Sequence, residues 1–314
     1  MAADDNRRMT TSSALDGAAP LPHWGLIRAQ GDDAASFLHS QLTNDFSLLG
    51  TAEARLAGYC SAKGRLLASF IGWKRSGDDI LLACSADLLA ATQKRLSMFV
   101  LRAKCKLSDA SPQWRLLGLT GPSAQAWLGS AAPSTVWGKT THEGADVVRL
   151  PDVDGTARFL WAAPLDVTPP ALPALDEAAW RVSEVKSGVA RIEAATVDQF
   201  VPQMLNYEVL GGVDFKKGCY PGQEVVARSQ YRGTIKRRSF LFSSSAALQA
   251  GQEVFHDADP SQPAGLVVNA ASPLALVELK LTALEGGTVH VGSADGPALI
   301  REELPYLLPV ADAA

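Results

Sequence analysis

Cys219 lies between Gly218 and Tyr220, directly after Lys216 and Lys217, in the run Lys217-Gly-Cys-Tyr-Pro-Gly-Gln-Glu224. A thiol reacts as its thiolate, and nearby cations or the positive end of a helix favour that form. Pro221 suits the first position of a helix that Gly222–Tyr231 can continue. The sequence therefore predicts a functional Cys219 thiol of depressed pKa beside a helix N-terminus. Gly218 and Gly222 would let a partner's backbone or a flat ligand approach closely. The competing reading is a tolerated cysteine in a tight turn, with Gln223 and Glu224 as ordinary first-turn residues. Such a thiol could serve as a nucleophile, a transient cluster or metal ligand, or a redox partner.

Cys60, Cys84 and Cys105 lie in strand-like apolar runs and read as buried residues. The four cysteines contain no CxxC pair, so neither a disulfide framework nor a locally encoded zinc site is expected. One cysteine cannot hold a four-iron cluster alone. Between Phe215 and Arg238 stand seven basic residues (Lys216, Lys217, Arg228, Arg232, Lys236, Arg237, Arg238) and one acid, Glu224, a local charge of +6. This is either a solvated basic face or a site for an anion such as a polyglutamate tail, phosphate or RNA. Tyr220 and Tyr231 are the main aromatics there, too few for a base-stacking surface.

The elements that must carry these residues are those of an ordinary globular chain. It has 314 residues, 47% of them hydrophobic, and glycine plus proline make up about 14%, which excludes collagen-like and low-complexity classes. The net charge of −4 argues against a surface that binds nucleic acid throughout. Residues 1–20 carry no apolar h-region and read as a mobile tail. Ile80–Ala91, interrupted by Asp87, is too short to span a bilayer, so a cytoplasmic protein without membrane contact is expected.

From Leu21 strands alternate with helices. A helix over 34–46 is expected to be capped by Asp32 or Asp33. Next come a hairpin turning at Gly64, a strand from Asp79, and a helix with the stripe Leu88, Leu89, Thr92, Leu96 and Phe99. A second αβ pattern runs from Trp114 to Ala162 around an Asp154-Gly155 turn. Thr168–Pro173, with three prolines in six residues, reads as a linker, and Asp176–Ile192 has helical periodicity. After Arg238, short strands separated by turns predict a small β-barrel or sandwich.

Lys-Gly-Cys-Tyr-Pro-Gly-Gln-Glu resembles the K-G-C-Y-x-G-Q-E signature of the YgfZ-type folate-binding proteins, relatives of the glycine-cleavage T-protein that act in iron–sulfur cluster assembly or maintenance. The likeness extends from Arg191-Ile-Glu193 through Gln203 and Asn206 to Arg228, Tyr231-Arg-Gly233 and Lys236-Arg-Arg238. It is weaker at Gly31-Asp-Asp-Ala, Gln41-Leu-Thr-Asn-Asp45 and Tyr59–Arg65.

The resemblance implies an α+β, T-protein-like fold whose lobes surround a central channel, ending in a small β-barrel. The divisions it implies are a body over 21–240, two-lobed with the linker near 168–173, and a barrel over 241–314. Tetrahydrofolate or a derivative would occupy the channel. Glu193 matches the carboxylate that binds the pterin ring in the T-protein relatives, with Gln203, Asn206 and Arg228 as further candidate contacts. Lys217 would stabilise the Cys219 thiolate or bind the folate glutamate.

The function implied is support of iron–sulfur clusters in other enzymes, with transient contact to those proteins or their assembly factors and an indirect effect on tRNA modification. Whether this involves catalytic turnover stays open. A true aminomethyltransferase and a non-catalytic RNA-binding module are the alternatives. Against the first, the Asn-rich, aspartate-bearing segment of that enzyme is not found. Its Arg-x-Glu-Ala-Gly run also reads here as Arg191-Ile-Glu-Ala-Ala-Thr.

Overall fold

A computed structural model describes residues 15–309. The tail expected over 1–20 falls partly outside these residues, and within them it ends early. Strand β1 (Gly17–Pro20) is held by a hydrogen bond from Ala18 N to Pro173 O (2.8 Å).

The first lobe contains β2 (Trp24–Gln30), α1 (Ala34–Gln41), β3 (Ala54–Cys60), β4 (Leu66–Ser76), β5 (Asp79–Ser85), α2 (Leu89–Ser97) and β6 (Lys106–Asp109). Its antiparallel sheet has the order β3-β4-β5-β2-β6. The second lobe adds β7 (Trp114–Thr120), α3 (Gly121–Leu128), β8 (Lys139–His142), β9 (Ala145–Val153) and β10 (Thr156–Pro164), in a sheet ordered β1-β7-β10-β9-β8. The β9–β10 turn places Asp154 and Gly155 at φ 50° and 71°, the left-handed pair that suits the twist of a hairpin.

After the linker come α4 (Glu177–Lys186) and α5 (Gln223–Tyr231). The chain ends in a closed barrel of β11 (Arg237–Ser243), β12 (Glu253–His256), β13 (Gly265–Ala271), β14 (Leu274–Lys280), β15 (Val289–Val291) and β16 (Ala298–Glu302). This is the expected α+β architecture with a C-terminal barrel, whose first strand starts at Arg237.

Three local expectations change. Asp33 precedes α1 but its carboxylate accepts from Lys104 N (2.8 Å) instead of capping the helix. Phe99 falls after α2 and is exposed, whereas Leu88, Leu89, Thr92 and Leu96 are buried. Helix α4 ends at Lys186 because Gly188 turns left-handed (φ 71°) under Tyr306; a Cβ there would stand 2.5 Å from that ring. Residues 189–192 then run irregularly into the interior.

Hydrophobic burial fixes the layers. Phe37 and Leu38 of α1 cover one face of the first sheet through Ala57, Tyr59, Ala68 and Phe70. The opposite face meets the second sheet, with Ile71, Trp73, Leu81 and Ala83 packing against Leu150, Leu160 and Trp180 of α4. The period-2 alternation of β4 therefore sends Phe70 to one face and Ile71 to the other.

Candidate functional site

Both lobes, α4 and the barrel converge on one cavity, which holds about 800 Å³ of space with its mouth included. Leu56, Ser69 and Ile71 come from the first sheet, Leu150 and Arg158 from the second, Arg181 and Glu184 from α4, and Asn269 from β13. Trp24 and Trp137 supply aromatic wall, and the irregular segment contributes Ala190, Arg191 and Glu193. Ser69 Oγ accepts from Ile192 N (2.9 Å), and Asn269 exchanges hydrogen bonds with the Arg191 backbone (2.9 and 2.8 Å). These contacts hold the Arg191–Glu193 backbone against β4 and the barrel.

Glu193 Oε1 accepts from Arg191 Nη2 (2.8 Å) and Asn269 Nδ2 (3.0 Å). The same side chain stands at the N-cap of the short turn Ala194–Thr196, in a capping box with Thr196, while lining the cavity. Arg191 in turn donates to His23 O (3.1 Å) and Ser85 Oγ (2.8 Å) and lies over the Trp24 ring at 5.1 Å. The carboxylate is thus presented by a fixed frame, as recognition of an aminopyrimidinone edge requires.

Glu184 accepts from His23 Nε2 (2.7 Å), Trp24 Nε1 (2.7 Å) and Trp180 Nε1 (2.9 Å). Burial pushes its pKa up, but the hydrogen bond and charge of His23, with Arg191 and Arg158 nearby, outweigh this and hold it down to about 2. A carboxyl depressed in the folded state contributes stability above its ordinary value near 4.5 and loses it as pH falls towards 2. Glu184→Gln is accordingly expected to flatten the fall of melting temperature across that window. An unchanged slope would contradict the assignment.

The thiol loop is separate. Lys217 Nζ donates to His39 O (2.5 Å) and Leu42 O (3.0 Å), satisfying carbonyls at the end of α1, and lies over the Tyr220 ring at 4.6 Å. Burial pulls its pKa down to about 8, against the opposing charges of Asp45, Asp214 and Cys219. Gly218 approaches His39, so that a Cβ there would stand 3.3 Å from Nε2, while His39 Nδ1 pairs with Asp45 Oδ1 (2.9 Å). Gly222 is left-handed (φ 79°) against the β3–β4 turn, where a Cβ would meet Ser61 O at 2.4 Å and Gly64 Cα at 2.7 Å. This contact explains why glycine stands there. Pro221 precedes the helix, because Gly222 takes the position before its first residue, Gln223.

Cys219 itself is exposed and does not line the cavity. The other three cysteines are also free, and burial pushes Cys60 and Cys84 up to about 12 and Cys105 to about 11. No group of three or more His, Cys, Asp or Glu residues suited to a metal occurs among the described residues.

Of the four residues expected around the ligand, the structure brings only Glu193 to the cavity. Gln203 is 1% exposed and donates to Val226 O (2.8 Å), fastening α5 to the body. Asn206, left-handed at φ 60°, donates to Ser239 O (2.8 Å) and accepts from Arg238 (3.0 Å), tying the body to the barrel. Arg228 is exposed on α5. None of the three lines the cavity.

The +6 segment is also dispersed. Lys217 turns inward, Arg237 pairs with Glu278 and Arg238 with Glu208, leaving Lys216, Arg228, Arg232 and Lys236 exposed. Tyr220 is buried, so Tyr231 is the one exposed aromatic of the two. Little of a base-stacking platform remains.

Sequence reading missed His23, Trp24, Arg158, Glu184 and Asn269. Arg158 alone carried a signal: it is the one charged residue in the apolar run Ala157–Ala163. The others are drawn together by long-range packing.

No family model matches the chain. The fold is shared with the crystal structure of glycine cleavage system aminomethyltransferase T from Bartonella henselae, at a TM-score of 0.70 and 19% identity over 93% of this chain and 87% of that one. In sequence, the chain is 33% identical over 252 residues to the tRNA-modifying protein YgfZ of Edwardsiella ictaluri, covering 72% of this chain and 70% of the relative. It is 32% identical over 238 residues to the tRNA-modifying protein YgfZ of Photorhabdus laumondii, with 72% and 70% covered. An exposed cysteine on a glycine-flanked loop, a T-protein fold and this level of identity agree, and the chain belongs to the YgfZ family.

Proposed function

We propose that this protein binds tetrahydrofolate or a folate derivative in its cavity and supports the assembly or repair of iron–sulfur clusters in other enzymes. Its effect on tRNA modification is then indirect. The folate part is carried by Glu193, whose carboxylate lines the cavity and is held at its wall by Arg191 and Asn269. The two tryptophans on the cavity wall suit a pterin ring.

The tRNA part is supported by what the relatives are named for. The iron–sulfur part is supported by the family resemblance and by a thiol exposed where another protein can reach it. No described helix is long and apolar enough to cross a membrane. Cys219 acts by transient contact with an iron–sulfur protein or assembly factor, since no resident cluster set surrounds it among the described residues.

Trp24 and Trp137 make the ligand half directly testable. Titration with 5-formyltetrahydrofolate should quench or shift tryptophan fluorescence in a saturable manner. No binding tighter than about 1 mM would end the folate reading.

A further inference from the structure

Arg158 is 2% exposed and belongs to β10, yet its guanidinium has almost nothing to bind. Nη1 makes one long hydrogen bond to Pro151 O (3.3 Å), and Nε, fully enclosed, has no partner. No carboxylate among the described residues comes within salt-bridge distance. The other two arginines of the cavity differ: Arg181 pairs with Glu177 and Arg191 with Glu193, each at 2.8 Å. Glu184, whose charge reaches Arg158 without a hydrogen bond to it, is already taken by His23 and two indoles.

What holds Arg158 in place is the Trp180 ring, 4.5 Å below its guanidinium carbon. Burial pulls its pKa down to about 10, so it remains a cation at neutral pH. A buried, charged fork with free donors on a cavity wall is an unfinished ion pair, because such a group is stable only when paired.

We propose that Arg158 anchors an anionic oxygen, a carboxylate or phosphate carried by the molecule that fills the cavity. The planar guanidinium can donate two parallel hydrogen bonds to either group. The ring chemistry of the ligand rests on the folate reading; its negative charge rests on Arg158 alone. If the ligand is a folate, the glutamate carboxylate is the matching group, and Glu193 and Arg158 recognise opposite kinds of functional group on one molecule.

The test compares two reduced pterins by tryptophan fluorescence: 5-formyltetrahydrofolate, which bears carboxylates, and tetrahydrobiopterin, which bears none. Wild-type protein should bind the folate about 10- to 100-fold more tightly, the range of a charge-assisted hydrogen-bond pair. Arg158→Met should bring the folate to the level of tetrahydrobiopterin and leave tetrahydrobiopterin unchanged. Equal losses for both ligands, or no loss for the folate, in a variant with native circular dichroism would overturn the proposal. Arg158→Gln serves the same comparison if the methionine variant does not fold, and a wild-type protein without preference for the carboxylate ligand overturns it with no variant at all.

If neither pterin binds, the folate reading fails and inorganic phosphate becomes the probe. Phosphate should then raise the melting temperature of wild-type protein more than that of the variant. Equal shifts would remove the anchor as well.

Discussion

Glu193→Gln is expected to weaken 5-formyltetrahydrofolate binding about 10- to 100-fold, the cost of replacing a charged acceptor by a neutral amide. The substitution keeps the shape of the side chain, and its remaining oxygen can still accept from Arg191 and Asn269. What is lost is the negative charge on the cavity wall, and an N–H donor takes the place of one oxygen. Arg191 keeps His23 O and Ser85 Oγ, so the segment should stay docked and the melting temperature should move little. Fluorescence titration of the two proteins decides the matter, and equal dissociation constants would show that Glu193 does not touch the ligand.

Cys219→Ser should leave fold and ligand affinity as they are and remove the support of iron–sulfur enzymes. The side chain is exposed and does not line the cavity, so a stability change within about 0.5 kcal/mol is expected. Sulfur and oxygen differ here in nucleophilicity and metal affinity far more than in size. The measurement is the activity of iron–sulfur enzymes in a strain lacking this gene and carrying either version. Full complementation by the serine variant would refute a chemical role for the thiol.

Local order was the legible part of this chain. Turn chemistry at Gly64 and Asp154-Gly155 and the strand Trp114–Thr120 stand where the residues put them. Glu193, singled out by the resemblance, lines the cavity.

The failures share a cause. Gln203, Asn206 and Arg228 have side chains that could bind a ligand, and nothing local shows whether they face one. Gln203 and Asn206 are spent on carbonyls of α5 and β11, 23 and 33 residues away. Lys217 likewise read as a partner of the thiol, but the unsatisfied carbonyls at the end of α1, more than 170 residues earlier, hold it. Polar residues near a motif are claimed by whichever buried backbone group the fold brings to them, and that choice is non-local.

The first sheet puts the thiol loop beside α1 and the cavity beneath its other face. On the proposed function, a molecule in the cavity and a protein docked at Cys219 would occupy different volumes. Either event would then influence the other only as a shift in equilibrium. Such a shift must be mutual: whatever factor a bound client adds to ligand affinity, the ligand adds to the client's.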